Sequence, residues 1–243
     1  MRDTEKGRER ALVDFEFDSW GKKYGPWDLD TQVPKKMAAA LKLPRFEAGL
    51  VLEGGSIDGN GRGTILTTES CLLNPNRGAG RTREKMERVL ADFLGATNVL
   101  WLADGIAADD TDGHIDDITR FVGPATVVTA LEEDSHSDNY KILRDNRQRL
   151  LSFRDEAGKP LDVIDLPMPP DLYIDGQRCP ASYANFYIAN RAVLVPVFGA
   201  KMDSRVLSIL REAFAPREVI GIPCADLVFG LGAIHCVTQQ EPA

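Results

Sequence analysis

Short aliphatic and β-branched runs alternate with longer amphipathic stretches along this chain, and the alternation repeats in one order. Residues 50–53 and 63–68 have the composition of short buried strands. Over 81–94 the apolar positions Met86, Val89, Leu90 and Phe93 fall at helical spacing, with Gly95 as a stop. Residues 98–102 return to a strand pattern. The order recurs with strands at 118–121 and 126–130, a polar helix over 137–151 and a strand at 163–166. It recurs again with strands at 184–188 and 192–197, a helix over 203–214 and a strand at 218–222. Pro167, Pro169, Pro170 and Pro180 punctuate the connection between the last two units. Gly59-Asn60-Gly61-Arg62-Gly63 lacks the Gly-Lys-Ser/Thr ending of a phosphate loop and reads as a hairpin turn between strands.

The units share local sequence at their entrances. Gly55-Ser56-Ile57-Asp58, Gly113-His114-Ile115-Asp116 and Gly232-Ala233-Ile234-His235 superimpose, and Ser182-Tyr183-Ala184-Asn185 is a weaker fourth. Repetition at this period predicts copies of one strand–strand–helix–strand unit whose equivalent ends converge. No low-complexity linker or composition break divides the chain, so residues 1–243 are expected to be a single α+β domain.

Composition narrows the function classes. The net charge of −8 gives no basic footprint for neutralising phosphates, so a nucleic-acid partner is not expected. It would favour the approach of a small cation, although the same charge also serves solubility. No apolar run approaches the length of a membrane span, and the start lacks the apolar core of a signal peptide. Cys71, Cys179, Cys224 and Cys236 show neither CxxC spacing nor a dense framework, so a reducing, cytoplasmic setting without disulfides or zinc is expected.

The entrances hold Glu53, then His114 with Asp116, then His235-Cys236. Were the entrances to meet, carboxylates could grip a planar cation such as a guanidinium. A thiolate could attack its central carbon, and an imidazole could protonate the departing amine. The bland alternatives are a structural His114 and a Cys236 acting as a small buried hydrophobe. Cys71, Cys179 and Cys224 lack polar catalytic neighbours and read as structural. Asp109-Asp110-Thr111-Asp112 does not meet the calcium-loop pattern and reads as a solvated turn.

Several segments resemble the signatures of agmatine deiminases and, in part, of bacterial peptidyl-arginine deiminases. They are Glu53-Gly54-Gly55-Ser56-Ile57, Thr67-Thr68-Glu69 with Cys71-Leu72-Leu73-Asn74-Pro75-Asn76-Arg77, Asp110-Thr111-Asp112-Gly113-His114-Ile115-Asp116, and Gly232-Ala233-Ile234-His235-Cys236-Val237-Thr238-Gln239-Gln240. The resemblance implies an αβ-propeller of five ββαβ units with the active site on a pseudo-fivefold axis. It implies Cys236 as nucleophile, His114 as general acid and then base, Asp116 as guanidinium ligand and Glu53 as an orienting residue. Met1-Arg2-Asp3-Thr4 is similar to a family segment whose Asp also binds the guanidinium, which would be Asp3. Set against that pattern, the chain begins at the Arg-Asp and is expected to lack the N-terminal unit.

The activity implied is hydrolysis of agmatine to N-carbamoylputrescine and ammonia, a polyamine-forming step, through a covalent thiouronium on Cys236. No cofactor or metal is expected, because the substrate cation is itself the electrophile, and a homo-oligomer is compatible with the reading. The alternatives are deimination of arginine within a peptide and a non-catalytic guanidine-binding relic.

Overall fold

The computed structural model describes residues 2–4 and 7–241, with side chains from Arg10 onward. They fall into two compact units. One contains the described residues up to Gly54, Leu72–Gly95, and Gln240 with Glu241; the other contains Gly55–Cys71 and Ala96–Gln239.

In the first unit, β1 (Arg2–Thr4) pairs antiparallel with β2 (Gly7–Glu9). The sequence then forms β3 (Leu12–Glu16), the short α1 (Ser19–Lys22), α2 (Val33–Leu41) and β4 (Arg45–Val51). β3 and β4 run parallel, and Arg45 bridges the Asp14 and Glu47 carboxylates on their surface. The strand expected at 50–53 is the end of β4, which stops at Val51. Just beyond it, the buried Glu53 carboxylate accepts from Arg77 Nε at 2.9 Å.

The second unit is built on three three-stranded sheets. The first has β5 (Ile57–Gly59), β6 (Thr64–Thr68) and β7 (Asn98–Leu102). Between β6 and β7 the chain forms α3 (Glu69–Leu72) and then α4 (Arg83–Leu94), whose residues belong to the first unit. α4 starts two residues later than its apolar pattern suggests. Thr82 is its N-cap and accepts from Lys85 N, while the Arg81 guanidinium binds the carbonyls of Val51, Leu72 and Arg77. The β5–β6 turn is the hairpin the sequence suggests, with Asn60 Oδ1 accepting from the amides of Arg62 and Thr64.

The second sheet has β8 (Thr119–Phe121), β9 (Thr126–Leu131) and β10 (Asp162–Pro167), with α5 (Asn139–Ser152) between the last two. β11 (Leu172–Ile174) and β12 (Gln177–Cys179) then form a separate hairpin in the proline-punctuated connection. The third sheet has β13 (Tyr187–Ile188), β14 (Ala192–Val197), α6 (Asp203–Ala213) and β15 (Glu218–Pro223). In each sheet the first two strands are antiparallel and the last two parallel. A parallel pair requires a crossover, and in each case a helix supplies it. The parallel strands read as near-continuous apolar or β-branched runs because both faces are covered; all five residues of β6 are buried.

Two apolar clusters stabilise this unit. One joins Leu66, Leu100 and Leu102 to Ile115, Ile118, Phe121, Val127 and Leu143. The other joins Val128 and Leu166 to Tyr183, Phe186, Val193, Val195 and Val206. Ile115 and Ile118 are fully buried on either side of Asp116, and each contributes roughly 1.5–3 kcal/mol by leaving water. That anchoring fixes the polar residues between them.

Candidate active site

His114 and Asp116 lie on the 3-10 turn Ile115–Asp117 that leads into β8, with His114 as its N-cap residue. The turn is shaped from behind by Asp109, whose carboxylate accepts from the amides of Thr111, Gly113 and His114. The run at 109–112, expected as a solvated turn, is half-buried, and its Asp109 braces the loop. Thr68 Oγ1 donates to Gly113 O at 2.6 Å and Ser182 Oγ to Asp117 O at 2.7 Å. These two hydroxyls close the turn on both sides.

The second 3-10 turn, His235–Val237, carries Cys236. The two turns meet. His235 Nδ1 lies 2.7 Å from Asp116 Oδ2, and Cys236 Sγ lies 3.7 Å from the same oxygen. His114 Nδ1 stands 4.0 Å from Asp116 Oδ1. Asp116 Oδ1 itself has no hydrogen-bond partner among the described residues.

A third segment enters from the approach to β13. Asn185 is fully buried, and its Nδ2 lies 3.1 Å from Cys236 Sγ and 3.2 Å from Asp116 Oδ2. Its Oδ1 accepts from the amides of His235 at 2.9 Å and Cys236 at 3.2 Å. Arg120 holds this segment in place: its guanidinium donates to Ala184 O, Phe186 O and Asp58 Oδ1 and lies 4.9 Å over the Phe186 ring. Residues 184–186 consequently stay outside the ladder, and β13 begins at Tyr187 rather than at the expected 184.

Glycines make the close approaches possible. A Cβ on Gly55 would come within 2.5 Å of His114 Nδ1 and 2.9 Å of Asp116 Oδ2. A Cβ on Gly232 would lie 2.8 Å from Cys236 Cβ. The entrance glycines thus admit the site's own side chains.

The electrostatics of neighbouring groups diverge. Burial pushes the Asp116 carboxyl up, but the hydrogen bond from His235 and the charges of His114, His235 and Arg120 outweigh it and hold the group below the usual carboxylate range. An ionised Asp116 can only accept, so His235 Nδ1 is the donor in their bond. Asp117 has no comparable compensation; burial and its carboxylate neighbours Asp116 and Asp109 push it well above the usual range. Cys236 is exposed as a residue, yet its Sγ faces this acidic floor. Desolvation, then Asp116, then Asp117 push the thiol up, and the Asn185 hydrogen bond works against them.

The structure therefore brings together Cys236, His114 and Asp116 from among the residues singled out in the sequence. Glu53 belongs to the first unit, where Arg77 holds it. Asp3 pairs through its backbone with Arg8, and its side chain lies outside the described residues. Cys71, Cys179 and Cys224 are buried. His235 and Asn185 were not assigned roles from sequence. The signal for both was the fourth position of the entrance alignment, where they stand in register with Asp58 and Asp116.

Among the described residues no helix is long and apolar enough to cross a membrane. A family model described as Porphyromonas-type peptidyl-arginine deiminase matches residues 1–242. The agmatine deiminase of Pseudomonas syringae pv. tomato is 37% identical over 263 residues, covering 99% of this chain and 71% of its own. The agmatine deiminase of Enterococcus faecalis, described as catalysing its reaction, superposes with a TM-score of 0.93 at 36% identity, covering 96% of this chain and 70% of its own. A cysteine-to-serine variant of the C. jejuni agmatine deiminase with substrate bound gives a TM-score of 0.85 at 33% identity, covering 92% of this chain and 66% of its own.

Proposed function

The chain belongs to the Porphyromonas-type peptidyl-arginine deiminase family, and from that premise we propose that it hydrolyses a C–N bond of agmatine, giving N-carbamoylputrescine and ammonia. The observation that carries this reading is the placement of a thiol 3.7 Å from an ionised, buried carboxylate that has one acceptor oxygen still open. Asp116 Oδ1 would take a guanidinium N–H, since Oδ2 is already engaged by His235 and Asn185. This directs the planar cation over Cys236 Sγ. The family resemblance would make Asp3 a second carboxylate ligand and Glu53 an orienting group.

The thiol keeps its proton, because burial first, and then the Asp116 carboxylate, oppose the thiolate. A bound guanidinium supplies positive charge at that place and favours the thiolate, the proton of the thiol passing to His114. Sγ then attacks the guanidinium carbon to form a C–S bond. His114 protonates one nitrogen, the C–N bond breaks and ammonia leaves, with a thiouronium on Cys236. Water, losing a proton to His114, attacks the same carbon; the C–S bond breaks, and the electron pair returns to sulfur. Both halves balance without an oxidant or reductant. The two agmatine deiminase structures support the substrate class, one of them holding its substrate after a cysteine-to-serine change.

The test is ammonia release from agmatine by the purified protein and by Cys236→Ala. Turnover in the first and none in the second is expected, and equal rates would remove the covalent route. Citrulline formation on an arginine peptide in preference to agmatine turnover would transfer the same chemistry to a peptide substrate. Agmatine binding without turnover would leave a guanidine-binding protein.

A further inference from the structure

Asn185 uses its whole carboxamide. The amide nitrogen carries two N–H donors; Cys236 Sγ lies 3.1 Å and Asp116 Oδ2 3.2 Å away, and the Asp117 carboxyl is a further acceptor within reach. The amide oxygen has two lone pairs, and two backbone amides point at it, those of His235 at 2.9 Å and Cys236 at 3.2 Å. Two N–H groups facing one end fix which end is oxygen, so the side chain cannot be flipped without losing both backbone bonds and the bond to Asp116. The residue is fully buried, and Arg120 clamps the carbonyls on either side of it.

We infer that Asn185 is the positioning residue of the nucleophile, its oxygen setting the backbone that presents Cys236 and its nitrogen donating to Sγ as negative charge develops there. The inference rests on the reading of Cys236 as the nucleophile. The two ends of the side chain have separable duties. The oxygen fixes where the turn 235–237 sits relative to Asp116. The nitrogen is the side-chain donor on a sulfur faced by carboxyl groups, its effect larger than that of the Ala233 backbone hydrogen bond beside it, and a hydrogen bond to a charged acceptor is stronger than one to a neutral one. A turn cap alone would need only the oxygen.

That difference makes the inference testable on the full chain. Asn185→Asp keeps the shape and the accepting oxygen but exchanges the donor for an acceptor. Asn185→Ala removes both ends without adding charge. Thiolate is read from its ultraviolet band across alkaline pH, as the difference from Cys236→Ala, beside thermal melting and the kinetics of ammonia release. Both variants are expected to show a smaller thiolate band than wild type at any alkaline pH, Asn185→Asp the smaller of the two. In Asn185→Asp, kcat is expected to fall roughly tenfold to a hundredfold, the range for one hydrogen bond to a charged group, while KM changes within a few-fold. A folded Asn185→Asp with the wild-type thiolate titration, or with wild-type kcat, would overturn the inference and leave Asn185 as a turn cap. The thiolate titration needs no substrate. A shifted band in a protein that leaves agmatine untouched would therefore sustain the inference while the functional reading fails.

Discussion

The turn at 114–117 and the segment at 182–186 reach the same sulfur with opposite chemistry. The first brings His114, Asp116 and Asp117, and its two acidic groups add to burial in opposing ionisation of Cys236. The second brings a neutral carboxamide that donates to Sγ. Their aligned fourth positions, Asp116 and Asn185, lie 3.2 Å apart and share one hydrogen bond. One entrance supplies the field that attracts a cation; the other supplies the donor that tolerates an anionic sulfur. Charge and nucleophilicity are thereby kept on separate elements of one site.

The sharpest way to break this division is to neutralise the charged side. Asp116→Asn should lower kcat/KM roughly a thousandfold, in the range for removing one partner of a buried, hydrogen-bonded charge pair. It should at the same time enlarge the thiolate band, because a carboxylate that opposes the thiolate is gone. Asp116→Asn and Asn185→Asp are thus expected to move the thiol in opposite directions, and a shift of the same sign in both would dissolve the comparison. Removing the clamp tests whether the two sides are mechanically joined. Arg120→Met leaves the half-buried Asp58 without its ion-pair partner and frees the carbonyls of Ala184 and Phe186; it should cost about 3 kcal/mol in urea unfolding. A loss within experimental error of zero would mean that the 182–186 segment is held by its apolar neighbours alone.

The smallest effect separates the adjacent carboxylates Asp116 and Asp117. Asp117 has a folded pKa above its unfolded value, so between those two values the native state holds a proton that the unfolded chain has released. Its contribution to stability is complete below the ordinary carboxylate range and is lost as pH rises through the raised folded value. Asp117→Asn should remove that part of the slope, so its stability relative to wild type grows with pH across the window. Parallel unfolding curves against pH would place the native proton elsewhere.

How much of this was legible beforehand depended on charge and on periodicity. Strands 98–102 and 192–197 emerge with the boundaries their apolar runs suggest, because buried parallel strands write themselves as continuous runs. The strand expected from 184 was misplaced for a reason invisible to periodicity: Arg120, more than sixty residues away, occupies the carbonyls a ladder would have used. Cys236, His114 and Asp116 stood out as rare or charged groups beside glycine. Asn185 did not, since a neutral amide carries little signal; His235 stood out beside Cys236, but its role depends on a carboxylate 119 positions earlier. The β11–β12 hairpin was hidden among prolines that read as a plain connection.

Those separations have a consequence in time. The bonds from Cys236 to Asn185 and Asp116 close loops of 51 to 120 residues, and contacts of such range form late because chain closure must precede their reward. A chain still emerging or collapsing carries a thiol of ordinary acidity; only the finished fold surrounds it with carboxylates and subdues it. The rate at which Cys236 loses its reactivity toward an alkylating reagent during refolding is then a clock for the last stage of assembly, readable without any substrate.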